Sequence, residues 1–225
     1  MDNLLIIFAK APVAGLVKTR MFPFLSFEEA AGVQRAFLED TVDKAVSAGT
    51  HEVCIAYSPE GSHDLFRSLF GDRVAHYHAQ AGDDLGARMA AAFDCAFGSG
   101  AGKAVIVGSD VPTLPSEFIS DAFGMLDTAD VVLGPSQDGG YYLVGLTRPV
   151  PALFAHIPWS ARTVFRDTLA RAEGLGLSVS TLPTLRDVDT FEDLRALVGA
   201  ALPPHTHRMV YSFEDRLRGG YDWLV

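Results

Sequence analysis

Cysteine is scarce in this chain: Cys54 and Cys95 are the only two among 225 residues. They make neither a CxxC pair nor a metal-ligand spacing, which argues against a disulfide framework and a cysteine-based zinc site. Buried free thiols in a reducing, cytoplasmic compartment are the expectation. No basic run or stripe interrupts a chain of net charge −10, which argues against a nucleic-acid partner. The apolar runs stop well short of the roughly 20 residues that a membrane span needs, so no membrane partner is expected. The N-terminus carries Asp2, has no basic n-region and enters a strand at once, and no secretory signal is expected. Internal repeats and low-complexity linkers are missing too. What remains is 48% hydrophobic and 20% charged, the composition of an ordinary globular protein. Its length suits one large α/β domain.

The stretch that stands out runs from Leu4 to Arg20. Leu4 to Ala9 is a continuous apolar run of strand length, which predicts a central parallel strand buried on both faces. It empties into a loop broken by Pro12 and Gly15 and carrying Lys10, Lys18 and Arg20. Across residues 1–25 these three basic side chains stand against one acidic residue, Asp2. A basic, glycine-containing loop at the carboxyl end of a sheet strand suits a small anionic ligand such as phosphate. It is not a P-loop, because Val17 rather than Gly precedes Lys18 and no second glycine lies five residues earlier.

Further on, Ser26-Phe27-Glu28-Glu29 is a capping-box pattern that opens a helix reaching about Ala48, with Gly49 as its stop. Strands are predicted at Glu52 to Tyr57, Val74 to Ala79, Ala104 to Gly108, Asp130 to Gly134, Tyr141 to Gly145 and Leu177 to Leu182. Helices are predicted at Ser62 to Phe70, from the Gly82-Asp83 loop to about Phe97, from a Ser116 cap, at Ala161 to Leu175 and at Thr190 to Ala200. Alternation of this kind predicts a three-layer α/β/α fold with a mostly parallel central sheet, a single domain over residues 1–202. The tail, 203–225, carries Tyr211, Phe213, Tyr221, Trp223 and Leu224, and is expected to pack on its own domain or on a second subunit of a homodimer.

Asp110 follows an apolar strand, with Pro112 and Pro115 holding the loop extended behind it. A carboxylate there can hold a divalent cation against phosphate oxygens. Asp187 and Asp189 point the same way if their segment is extended, and either serve as turn and cap residues or share that cation. Asp138-Gly139-Gly140 reads both as a hairpin turn and as a place of close backbone approach. His76-x-His78 and His205-x-His207 lack a third ligand nearby and read as surface.

These residues resemble a family. Ala9-Lys10-Ala11-Pro12 with Gly15-x-Val17-Lys18-Thr19-Arg20 is similar to the opening of the glycosyltransferase-like DUF2064 proteins, also described as radical-SAM/selenodomain-associated transferases. The resemblance continues through Gly82-x-Asp84-Leu85-Gly86-x-Arg88-Met89, Gly108-Ser109-Asp110-x-Pro112 and Leu133-Gly134-Pro135-x-x-Asp138-Gly139-Gly140-Tyr141-Tyr142. It ends with Trp159-Ser160 and Asp187-Val188-Asp189-Thr190-x-x-Asp193-Leu194. The family belongs with the nucleotide-diphospho-sugar transferase (GT-A, Rossmann-like) superfamily, beside phospholactate guanylyltransferase and the molybdenum-cofactor guanylyltransferase. Ala14, Met21 and Ala161 depart from its usual Pro, Leu and Thr, the last removing a hydroxyl.

The resemblance implies that Ala9, Lys10, Ala11, Gly15, Lys18 and Arg20 cradle nucleotide phosphates, with Lys18 and Arg20 on the β/γ oxygens. Gly82, Asp84 and Arg88 would frame the base or sugar. Asp138, Gly139, Gly140 and Trp159 would line the acceptor or sugar side. Asp110 and Asp189 would hold Mg2+ (or Mn2+), and Lys18, Arg20 and Asp110 would carry catalysis. The expected function is a magnesium-dependent transfer from a nucleoside triphosphate or a nucleotide sugar to a small-molecule acceptor. The alternative is a non-catalytic nucleotide-binding or partner protein on the same fold.

Overall fold

The apolar run at the N-terminus becomes β1 (Asn3–Lys10), an inner strand of a seven-stranded sheet. A computed structural model describes residues 3–49 and 51–219. The other strands are β2 (Glu52–Ser58), β3 (His76–Ala79), β4 (Lys103–Gly108), β5 (Val131–Pro135), β6 (Tyr141–Leu146) and β7 (Val179–Thr181). Their spatial order is β3-β2-β1-β4-β6-β5-β7, and β6 alone runs antiparallel to its neighbours. The helices are α1 (Phe27–Ser47), α2 (His63–Phe70), α3 (Leu85–Gly98), α4 (Ser116–Met125), α5 (Val164–Gly174), α6 (Phe191–Arg195), α7 (Pro204–Ser212) and α8 (Glu214–Arg218). This is the three-layer α/β architecture with a mostly parallel sheet that the alternation predicts.

Alternation along β1 divides the interior. Leu5, Ile7 and Ala9 join the core beneath α1, α2 and α4, whereas Leu4 and Ile6 join the one beneath α3 and α5. A third core gathers Met21, Leu25, Val33, Phe37, Val188, Phe191, Val210, Phe213 and Leu217. It ties the loop after β1 to α6, α7 and α8, so the basic loop rests on a packed floor. The capping box at α1 is present, with Glu29 N donating to Ser26 Oγ and Ser26 N to the Glu29 carboxylate.

Several expected boundaries shift. Ser116 does not cap α4; it begins the helix, and Pro115 precedes it in extended conformation. The helix expected from Ala161 starts at Val164, because Ser160 takes φ +75° and Ala161–Thr163 turn against the β5–β6 connection. The helix expected to reach Ala200 ends at Arg195 and continues as tight turns closed by i−3 bonds up to Gly199 (φ +86°). Cys54 is buried, but Cys95 is exposed, contrary to expectation. On α3 the buried positions are Gly86, Met89, Phe93 and Ala96, and Cys95 falls off that stripe.

The tail beyond Pro203 forms α7 and α8 against α1. Asp40 of α1 accepts from His205 N (3.0 Å) and Thr206 N (2.6 Å) at the start of α7, satisfying amides that a helix N-terminus leaves open. Arg216 binds the Glu29 carboxylate and Phe24 O, clamping the entry to α1. Tyr221, Trp223 and Leu224 lie outside the described residues. Among the described residues no helix is long and apolar enough to cross a membrane.

Candidate functional site

Four segments meet at one edge of the sheet, because β1, β4, β5 and β7 all end there. They are the basic loop 10–25, the Ser109–Pro115 loop, the Ser136–Gly140 turn and the 182–190 segment. The last lies along its neighbours through Leu185 N to Pro135 O (3.0 Å), Gln137 N to Leu185 O (3.0 Å) and Val188 N to Asp110 O (2.9 Å). Ligands of open α/β sheets sit at such carboxyl edges.

Lys18 is the knot. Its ammonium donates to Asp110 Oδ1 (2.6 Å), Val188 O (2.7 Å) and Asp189 Oδ1 (2.9 Å), and it lies 5.6 Å from the Phe37 ring centroid. The Lys18 side chain is 3% exposed, whereas those of Asp110 and Asp189 are 47% and 39% exposed. Burial works against the ammonium, but the two carboxylate charges and their hydrogen bonds outweigh it and raise its pKa above the ordinary lysine value. All three N–H donors are spent, so in this structure Lys18 is a crosslink between the loop after β4 and the segment that leads into α6. The expected placement of Lys18 on phosphate oxygens requires it to release these partners.

Around this knot the carboxylates are in surplus. The Asp187 carboxyl is pushed up by burial, then by the charge of Asp138 and further by Asp189 and Asp193. Sequence reasoning left Asp187 undecided; the structure places it in the same electrostatic cluster. That donor set, hard oxygens partly open to water, fits Mg2+ or Mn2+. Arg20 stands on the rim, 3.9 Å from Asp189 and 70% exposed, and Lys10 is exposed with no ion pair among the described residues.

Other expected contacts divide. Ala9 and Ala11 are buried in the core, and Ala11 N is spent on Ser58 O (2.7 Å), which gives both a packing role. Gly15 (φ +79°) turns the exposed loop. Asp84 caps α3 by accepting from Ala87 N (2.7 Å), and Arg88 Nε donates to Gly82 O (3.0 Å), closing the loop onto its helix. Trp159 packs its indole over Gly86, where any Cβ would meet it at 2.6 Å. Asp138 is held by Ser136 Oγ and by Gly140 N (2.9 Å), and Gly139 N closes the turn onto Ser136 O. Both readings of this turn hold, since it joins β5 to β6 and abuts Arg162.

Two supports were not read from the sequence. Gln34 Nε2 donates to Ser109 Oγ (2.9 Å), and Lys44 Nζ to Pro112 O (2.5 Å), so α1 grips the Asp110 loop on both sides. A buried glutamine beside Val33 was the available signal. Elsewhere, Asp40, Asp43 and His205 bring one ligand atom each within 4.8 Å of one another. His205 is thus not the plain surface residue expected. Asp40 already holds the backbone of α7, and the His205 ring faces Glu39 (2.9 Å) and Asp43 (3.3 Å).

The Asp189 backbone is steadied by the Thr190–Asp193 box. Burial would raise the Asp193 carboxyl, but hydrogen bonds from Thr190 and Arg186 overcome it and hold it at about 2. A carboxyl depressed on folding stabilises above its unfolded pKa and loses that contribution as pH falls through the folded value. Between pH 5 and pH 2 the wild type is therefore expected to lose about 2 kcal/mol more than Asp193→Asn. Urea unfolding across that range checks it; parallel acid limbs would contradict the assignment.

A family profile described as "Uncharacterized protein conserved in bacteria (DUF2064)" matches residues 41–161. No curated protein sequence matches. Among solved structures, a candidate nucleotide-diphospho-sugar transferase from Desulfovibrio desulfuricans is 30% identical. The match covers 97% of this chain and 98% of that one, with a TM-score of 0.90. A Mycobacterium tuberculosis protein in complex with manganese is 16% identical, covering 89% and 100%, TM-score 0.55. A CMP:2-keto-3-deoxy-manno-octonic acid synthetase complexed with CTP is 13% identical, covering 88% and 98%, TM-score 0.54.

Proposed function

The chain belongs to the DUF2064 family, and from that premise we propose that it is a divalent-metal-dependent transferase with a nucleotide donor. One observation carries the reading: Asp110 after β4 and Asp189 after β7 converge on one point, beside a basic loop, at the carboxyl edge of the sheet. Group transfer from a nucleotide asks a protein chiefly for positioning and charge neutralisation.

In this reading Asp110 and Asp189 hold the cation, and Asp187 adds negative charge to their surroundings. When bound, it would neutralise phosphate oxygens and the charge that develops on the leaving group. Arg20 and Lys10 meet the anionic tail from the rim. Gly82 and Arg88 shape the loop at the far wall, whose helix Asp84 caps. Asp138, Gly139 and Gly140 form the acceptor-side wall, with Trp159 setting the position of the α3 N-terminus. The three basic residues of the first loop favour a triphosphate tail, and the CTP-bound structure of similar fold supports a nucleotidyl donor.

A thermal-shift panel of nucleoside triphosphates and nucleotide sugars, with and without Mg2+, tests this. A ligand at a hundred times its Kd adds about 2.7 kcal/mol to native-state stability, roughly 5–10 °C for a domain of this size. The expected result is such a shift for one donor, dependent on Mg2+. Released pyrophosphate then identifies nucleotidyl transfer, and a released nucleoside diphosphate identifies glycosyl transfer. A panel that leaves the transition in place contradicts the donor assignment.

A further inference from the structure

We propose that Lys18 is a resident counter-ion of the cation site, competing with the divalent metal for Asp110 and Asp189. Metal is then held firmly only when an anionic ligand takes over the ammonium. This rests on the assignment of those two carboxylates to a metal.

The geometry sets the ammonium against an incoming cation, since it holds one oxygen of each carboxylate. The ammonium has three N–H donors, and Asp110 Oδ1, Val188 O and Asp189 Oδ1 account for all of them within 2.9 Å. It lies beneath the carboxylates, 3% exposed and against Phe37, while they face solvent. A cation arriving from water therefore meets carboxylates whose charge is already partly offset from below, and repulsion from the ammonium weakens its binding.

Nor is the position an accident of a wandering side chain. Lys18 adopts φ +47°, ψ +34°, a left-handed conformation that costs a residue with a Cβ about 1–2 kcal/mol. Val17 before it and Met21 after it are both buried, so the backbone on either side is anchored.

Release of Lys18 frees charge of both signs. The carboxylates suit a divalent ion, and the freed ammonium seeks anionic oxygens of its own. A phosphate-bearing ligand supplies those oxygens, so metal and ligand each strengthen the binding of the other, as linkage requires. Alone, the metal must displace a well-bonded buried ammonium and leave it poorly paired. The loop that carries Lys18 also carries Arg20, whose guanidinium lies 3.9 Å from Asp189, so movement of one residue re-aims both cations.

The test is Mn2+ binding to the full chain without nucleotide, followed by electron paramagnetic resonance. Lys18→Met keeps an unbranched apolar stem of nearly the same reach and removes the ammonium with its charge. It is expected to bind Mn2+ at least about tenfold more tightly than the wild type. Equal or weaker binding overturns the proposal. Adding Asp189→Asn to Lys18→Met should erase the gain; a gain that survives places the ion elsewhere, as at Asp40, Asp43 and His205, and also overturns it.

A second readout uses the wild type alone. Acylation of Lys18, followed by mass spectrometry, should be slow beside Lys10 and rise several-fold once Mn2+ is bound. Unchanged labelling with Mn2+ bound rejects the competition. These results stand apart from the donor reading. A nucleotide panel without a shift, together with tighter Mn2+ binding by Lys18→Met, removes the nucleotide and keeps the competition. A positive panel without that gain does the reverse.

Discussion

Asp110→Ala is expected to lower turnover with the donor identified by the thermal panel by at least about 10³-fold, a loss of roughly 4 kcal/mol of transition-state stabilisation. Asp110 sits where β4 delivers its chain to the sheet edge, and α1 holds the loop from both sides through Gln34 and Lys44. Its carboxylate therefore arrives in a fixed place, which is what electrostatic stabilisation requires. The same variant should remain folded. Lys18 keeps Asp189 and Val188 O, so one hydrogen bond is lost rather than a whole network. That costs about 1–2 kcal/mol, or roughly 2–8 °C in Tm for a domain of this length. Calorimetry and a product assay on one preparation separate the two effects. Turnover within tenfold of the wild type would remove Asp110 from the chemistry, and an unfolded variant would assign it to the fold.

That separation is possible because most of the architecture was legible before the structure. The alternation of apolar runs with capped helices predicted the sheet, and Ser26-x-x-Glu29 and Thr190-x-x-Asp193 both form the boxes that their spacing suggested. Helix ends were less legible. Ser116 looked like a cap because serine before an apolar stretch usually is one, yet Pro115 already turns the chain. Aromatic residues in the tail raised the expectation of packing, but nothing local showed that α7 would take its N-terminal partner from Asp40, more than 160 residues earlier. Such long-range capping has no periodicity to read.

The candidate site stood out in its residue types, and its pairings did not. Lys18, Asp110 and Asp189 stood out by charge and by position after apolar runs. That one ammonium bonds both carboxylates and the Val188 carbonyl depends on strand order, since β4 and β7 lie far apart in sequence and β6 and β5 stand between them in the sheet. Asp84 stood out by motif, and the structure gives it a capping hydrogen bond instead of a free carboxylate. Trp159 looked like a ligand contact, and what it contacts is Gly86. In both cases the motif residue has a structural partner at the N-terminus of α3.

Gly139 shows how strict that holding is, and Gly139→Ala is expected to have the largest effect on stability of any single methyl added near the site. The residue takes φ +94°, where a Cβ is disfavoured by about 1–2 kcal/mol. The added carbon would also fall 2.0 Å from Arg162 O and 2.6 Å from its carbonyl carbon, both backbone atoms that no rotamer can move aside. Either the Ser136–Gly140 turn or the Ala161–Thr163 turn must shift. The hydrogen bond between them, Phe165 N to Gly139 O at 2.9 Å, is then broken or stretched. Strain and lost bonding together predict a loss of about 3 kcal/mol, roughly 6–12 °C in Tm. Gly140→Ala is the comparison: its Cβ would meet only the Asp138 and Ser136 side chains, at 3.2 Å and beyond, and its expected loss is about 1 kcal/mol or less. Calorimetry of the two variants side by side decides the matter. If Gly139→Ala melts within about 2 °C of Gly140→Ala, less than one kcal/mol separates them, and the Arg162 contact does not hold the Ser136–Gly140 turn.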